Sequence, residues 1–103
     1  MTEIPFHPAA RAEAVAASLY LESQRVGYGE KFEEELDALL ARIGELPKSG
    51  QRLPGYPEAL EVRAFPMSTF RYSLIVASPG GLPMIYALAH QHRRPGYWLE
   101  RIE

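Results

Sequence analysis

A chain of 103 residues has room for one hydrophobic core, because two would each need roughly 50 residues or more. Hydrophobic residues make up 47% and charged residues 23%, a balance typical of folded domains and one that excludes a disordered chain. The absence of cysteine excludes disulfides, thiolate nucleophiles and cysteine-ligated metal centres.

The net charge of −2 hides an uneven distribution. Residues 1–45 carry nine acids and four bases, whereas residues 46–103 carry seven bases and four acids. Between Val62 and Leu99 stand four arginines and no acid. A basic sheet face that meets an anionic partner is therefore expected, although the small negative total argues against a protein that merely coats nucleic acid. No basic segment followed by an apolar run opens the chain, and nowhere do 18 consecutive apolar residues occur. Neither secretion nor membrane spanning is signalled, and a bacterial-type cytosolic protein is the expectation.

Ile4 to His7 is short and β-capable, and Pro8 stands where the first turn of a helix tolerates a residue without an N–H. From Ala9 to Arg25 the chain is rich in alanine and free of glycine and proline, with Ala12, Val15, Ala16, Leu19 and Tyr20 recurring at spacings of three and four. That spacing predicts an amphipathic helix with a narrow apolar stripe. Gly27 and Gly29 end it. A second helix follows, with Tyr28, Phe32, Leu36, Leu39, Leu40 and Ile43 on one side and Glu33, Glu34, Glu35 and Asp37 solvated on the other. So short a connection makes an antiparallel hairpin.

Residues 44–57 hold Pro47, Gly50, Pro54, Gly55 and Pro57 and read as an irregular connection. Three strands are predicted after it. In the first, 60–65, Leu60, Val62 and Ala64 alternate with Glu61, Arg63 and Phe65; the second, 69–77, is β-branched and aromatic; the third, 84–89, is apolar. Residues 78–81 supply the turn between the last two, and Pro66 and Pro83 stand at strand ends. The order is β-α-α-β-β-β. It describes one α+β domain over residues 1–103, an N-terminal helical hairpin packed on a small, mainly antiparallel sheet.

Chemistry concentrates in the tail, His90-Gln91-His92-Arg93-Arg94-Pro95-Gly96-Tyr97-Trp98. His90 and His92 would share one face of a continuing strand, a spacing that can hold a metal. Two histidines without a third ligand rarely make a site, and neither metal nor cofactor is expected. Arg93 and Arg94 beside Tyr97 can clamp a phosphate and stack a base, whereas Trp98 is expected to close a core edge. RNA cleavage would further require a base for the 2′-OH proton, a cation for the phosphorane charge and an acid for the leaving oxygen. His92, Tyr97 and the arginines have the chemistry for these roles, but tyrosine and arginine titrate far above pH 7 unless a site shifts them. No phosphate-binding glycine loop, HExxH or GxSxG motif is present.

The segments KFEEELDALLARIGELP, LEVRAFPMSTFRYSLIV and IYALAHQHRRPGYWLERI resemble the RelE/ParE superfamily of type II toxin–antitoxin toxins, which includes plasmid stabilisation proteins. The likeness spans nearly the whole chain. Its most specific part is the strand-ending AH dipeptide, the arginines after it and the P-x-Y-W ending. The resemblance implies the same β-α-α-β-β-β fold, a co-expressed antitoxin that wraps over the toxin, and a bacterial cytosolic setting.

Two targets follow from it. RelE-type members cleave mRNA on the ribosome, and ParE-type members inhibit DNA gyrase without nuclease chemistry. Toxicity by ribosome-dependent mRNA cleavage is the leading expectation, with gyrase inhibition or an inactive antitoxin-binding relative as alternatives. By position, Arg63 matches a basic residue of the first strand after the helices, and Arg71 approximates the arginine of the next. Arg93 or Arg94 corresponds to the arginine after the last strand, and Tyr97 to the C-terminal tyrosine. In the nuclease version Arg63 and Arg71 would hold phosphates, Arg93 or Arg94 would stabilise the transition-state charge, and Tyr97 would act on the 2′-OH or stack a base. The chain departs from the family pattern at Glu61, where a second basic residue is usual, in lacking both sheet lysines, and at Phe70-Arg71-Tyr72, which reads Phe-Pro-Tyr in many plasmid-stabilisation relatives.

Overall fold

The computed structural model describes residues 3–102. Helix α1 runs over Pro8–Gln24, with proline in its first turn and His7 as N-cap, the Nδ1 of which accepts the Ala9 N–H at 3.1 Å. Helix α2 runs over Tyr28–Glu45. Between them Gly27 adopts φ 94°, a left-handed conformation that costs glycine little. The Glu22 carboxylate accepts the Gly27 and Gly29 N–H groups at 3.0–3.1 Å and so satisfies donors that the start of α2 would leave unpaired.

The stripe expected to bury α1 faces outward. Val15, Leu19 and Tyr20 are exposed, Leu19 at 68%, whereas Ala10, Ala17 and Ser18 are buried. Close approach decides the matter: small side chains let α1 lie against α2, where a Cβ added to Gly29 would meet the Ser18 carbonyl oxygen at 3.0 Å. The larger residues would hold the helices apart. On α2 the expected stripe is the buried one, with Phe32, Leu36 and Ile43 inside and Tyr28, Leu39 and Leu40 packed against the same core.

Four strands, β1 (Gln51–Arg52), β2 (Arg63–Pro66), β3 (Tyr72–Ala77) and β4 (Met84–His90), form an antiparallel sheet in the order β1-β2-β3-β4. The fold is the α+β arrangement anticipated, with differences at its edges. The opening strand is reduced to one parallel bridge, Phe6 to Ile85, held by Ile85 N–H to Pro5 and His7 N–H to Ile85, both at 2.8 Å. β1 lies in the segment expected to be irregular. β2 starts three residues late, because Glu58–Leu60 winds into a 3-10 turn and Glu61 takes φ 46°. β3 starts at Tyr72, since Met67 and Tyr72 close the preceding turn with a 2.9 Å backbone bond. Glu35 of α2 caps that turn, accepting the Ser68 and Thr69 N–H groups, and Glu33 accepts the Ser18 hydroxyl at 2.6 Å. Of the acids expected in solvent, two therefore have structural partners; Glu34 and Asp37 are exposed.

Both sheet faces are covered. Phe65, Leu74, Val76, Ile85 and Leu88 meet the helices. Val62, Ile75, Ala77, Tyr86 and Ala87 meet Trp98, Tyr56, Leu53 and Ile102 on the other side. Trp98 is 2% exposed, with its ring 5.0 Å from that of Tyr56, so it closes the core as expected. An open basic sheet face is not formed: alternation makes the second face apolar, and the returning tail seals it.

Candidate functional site

The outer N–H and C=O groups of β4 need partners, because an edge strand otherwise invites pairing with another chain. The Phe6 bridge serves Ile85. Arg101 donates from Nη1 to the Tyr86 carbonyl at 2.8 Å, and the Leu88 N–H donates to Glu13 Oε1 at 3.0 Å. The Glu13 carboxylate also accepts both Arg101 terminal nitrogens at 3.0 Å and the Tyr97 hydroxyl at 2.8 Å. One carboxylate on α1 thus fastens the edge of β4 and the C-terminal segment together.

The electrostatics follow from that geometry. Burial alone would push the Glu13 carboxyl upward, but the hydrogen bonds from Arg101, Tyr97 and Leu88 outweigh it and hold the group below its ordinary 4.5. Burial, then the hydrogen bond to Glu13, pushes the Tyr97 phenol from 10.0 up to about 12. At neutral pH Tyr97 is a neutral hydrogen-bond donor, unsuited to removing a proton. Its ring supports a guanidinium instead: the Arg93 carbon lies 3.9 Å from the ring centroid, and that of Arg101 5.2 Å away.

The five candidate residues do not all meet. Arg93, Arg94 and Tyr97 follow β4 in sequence, and the Gln91 N–H donates to the Arg71 carbonyl at 3.0 Å, bringing Arg71 to the same corner. Arg71, Arg93 and Arg94 are exposed there. Arg63 sits opposite Val76, about 17 Å from Arg71 along the strand direction by the usual rise per residue. It donates from Nη1 to the carbonyls of Lys48 and Gly50 at 3.1 and 3.0 Å and ties down the loop before β1. His90 ends β4, and its Nδ1 accepts the His92 N–H at 3.1 Å with the rings 5.1 Å apart. Because the strand stops there, the histidines do not share a strand face. Among the described residues no three metal-ligating side chains gather.

A pocket of about 260 Å³ opens beside this network, between α1 and the end of β4. Glu13, Ala16, Tyr20, Tyr72, Leu88, His90 and Arg93 line it, and the Tyr72 ring meets His90 edge-on at 5.1 Å. Sequence reasoning did not place Glu13 or Arg101 at a site, and it named Tyr20 only for the apolar stripe of α1. Spacing gave no signal for Glu13: it stands three residues after Ala10 and four before Ala17, on the side of α1 that only the structure shows to be buried, where a charge requires a partner. Its partners are 75 to 88 residues away, beyond what spacing can reveal.

Compared with known proteins, the chain matches no protein-family model and no curated protein. The corner gathers the exposed Arg71, Arg93 and Arg94, with His90, His92 and the neutral Tyr97 phenol beside them, and guanidiniums so placed can bind an anion.

Proposed function

We propose that the chain is the toxin half of a type II toxin–antitoxin pair of the RelE/ParE kind, acting in the bacterial cytosol by cleaving mRNA on the ribosome. The observation that carries this reading is the convergence of Arg71, Arg93 and Arg94 on one exposed corner, with Tyr97 and the histidines beside them. The helical hairpin on an antiparallel sheet agrees with the architecture that the sequence resemblance implies. In the cleavage step the 2′-oxygen would bond to phosphorus as the bond to the 5′-oxygen breaks, and Arg93 and Arg94 would offset the negative charge developing on the non-bridging phosphoryl oxygens. His92, exposed on the same turn, would take or give the proton. Tyr97, neutral and bonded to Glu13, would hold Arg93 in place rather than act as a base.

An antitoxin would find its contact surface on the helices. Val15, Leu19 and Tyr20 make an exposed apolar strip on α1, continued by Val26 at 90% exposure. The groove between α1 and α2 is lined by Phe6, Val15, Leu36 and Leu40, with Arg11, Glu33 and Asp37 among its walls, which suits an apolar segment carrying charges of both signs. Gyrase inhibition is favoured by the missing sheet lysines and by the net charge of −2, which suits a protein target better than ribosomal RNA.

Induced expression in a bacterial host tests these readings together. Growth arrest with new mRNA ends, relieved by Arg93→Ala with Arg94→Ala, supports the nuclease. Arrest with intact mRNA and impaired supercoiling points to the gyrase inhibitor, and no arrest to an inactive antitoxin-binding relative.

A further inference from the structure

We propose that the pocket between α1 and the end of β4 receives one unstacked base of a single-stranded nucleic acid, with the adjoining phosphate on Arg93. The proposal rests on the nuclease reading and locates a substrate contact on the helix side of the sheet, away from the face that Trp98 seals.

Size comes first. At about 260 Å³ the pocket falls just below the roughly 300–1,000 Å³ of drug-sized ligand sites, and it suits a single ring system. Its apolar lining comes from Ala16, Ala17 and Leu88, and two aromatic residues, Tyr20 and Tyr72, complete it. Aromatic walls are what an unstacked base uses, since every base presents a π-face. Tyr20 is 58% exposed on a helix, and its ring contributes little to the core. Burial, then the neighbouring Tyr20, raises the Tyr72 phenol above its ordinary 10.0, so at neutral pH Tyr72 adds no negative charge to the pocket.

Charge narrows the ligand further. Glu13 lines the pocket, yet both its oxygens are engaged by Arg101, Tyr97 and Leu88. A neutral carbohydrate would also stack on aromatic rings and find hydrogen-bonding groups in Tyr20, Tyr72 and His90, but it would leave the Arg93 guanidinium without an anionic partner. Arg93 lies in no ion pair among the described residues, and the Tyr97 ring holds it at the pocket wall. A ligand that is at once aromatic and anionic matches this set, and a nucleotide is that ligand. Arg71 and Arg94 stand on the same corner, where the next phosphates of a strand would pass.

The test is a chemical-shift titration by NMR of the full chain with adenosine 5′-monophosphate, a short single-stranded oligoadenylate and inorganic phosphate. The nucleotides should shift Ala16, Tyr20, Leu88 and His90 together, whereas phosphate should move Arg93 alone. Tyr20→Ala removes a wall and Ala16→Leu fills the space. Both positions are exposed, so the fold survives, and each change should weaken nucleotide binding about tenfold or more. Nucleotide shifts no larger than those with phosphate, shifts that map elsewhere, or binding unchanged in both variants would overturn the proposal. Growth arrest by a chain whose pocket binds no nucleotide overturns the pocket and leaves the toxin reading standing. Pocket binding without arrest does the reverse.

Discussion

Arg63 and Arg93 look alike in the sequence, each a basic residue in the stretch between Val62 and Leu99 that holds no acid. In the fold they have opposite fates. Arg63 gives its hydrogen bonds to the carbonyls of Lys48 and Gly50 and so becomes part of the loop that carries β1. At the other end of the sheet Arg93 rests on the Tyr97 ring, with Arg71 and Arg94 exposed beside it. The difference lies in what was left unpaired nearby. The loop 48–50 presents backbone carbonyls that a guanidinium can satisfy, whereas at the β4 end the carboxylate of Glu13 and the carbonyl of Tyr86 are already taken by Arg101. One arginine saturates the local acceptors, and the others remain available for a ligand.

The largest expected effect is on the tail that builds the second end. Trp98→Ala should cost about 3–5 kcal/mol, the usual penalty for removing a buried aromatic, a large part of the roughly 5–15 kcal/mol that holds a domain together. Denaturant unfolding measures it, and a loss below about 1 kcal/mol would mean that the tail does not seal the sheet.

Next comes the carboxylate that joins α1 to the tail. Glu13→Gln should cost about 2 kcal/mol, since Arg101 and Glu13 are each about four-fifths buried and one would lose its charged partner. The contribution should also depend on pH. Glu13 titrates below its ordinary 4.5 in the fold, so its stabilisation is complete above the unfolded-state value and disappears as pH falls through the lower folded-state value. Tyr97 has the opposite sign: its phenol is raised from 10.0 to about 12, so its contribution is present below pH 10 and is lost as pH rises through 12. Melting temperature against pH should show both limbs in the native chain, with the alkaline limb weakened in Tyr97→Phe and the acid limb weakened in Glu13→Gln.

The smallest stability effects bear most directly on the comparison. Arg63→Met should cost about 1 kcal/mol through two lost hydrogen bonds and leave growth arrest intact. Arg93→Ala with Arg94→Ala should change the unfolding midpoint by less than about 0.5 kcal/mol in equivalent stability yet relieve arrest. Arrest that depended on Arg63 in a folded variant would erase the distinction between the two ends.

Much of this architecture was legible before any coordinates. Gly27 marks the turn between helices because it must take a left-handed conformation, the Phe32–Leu36–Ile43 spacing marks the buried side of α2 because 3.6 residues make a turn, and the 78–81 turn separates β3 from β4. The burial of Trp98 also followed from its size and place. Other features depended on distant partners. α1 carries apolar residues on two sides, and the side with the smaller ones was buried because close contact with α2 around Gly29 left no room for Val15 or Leu19. Periodicity measures which residues share a face; it does not measure how near a second helix will come.

Local signals therefore determined the elements, their order and the density of cations in the tail, because turns, helical spacing and charge are properties of neighbouring residues. Tertiary structure decided which arginines remain available, which face of the sheet is sealed, and that Glu13 and Arg101 hold the β4 edge. Those outcomes depend on groups 13 to 88 residues apart meeting in space, where each buried acceptor takes the donor that packing brings to it.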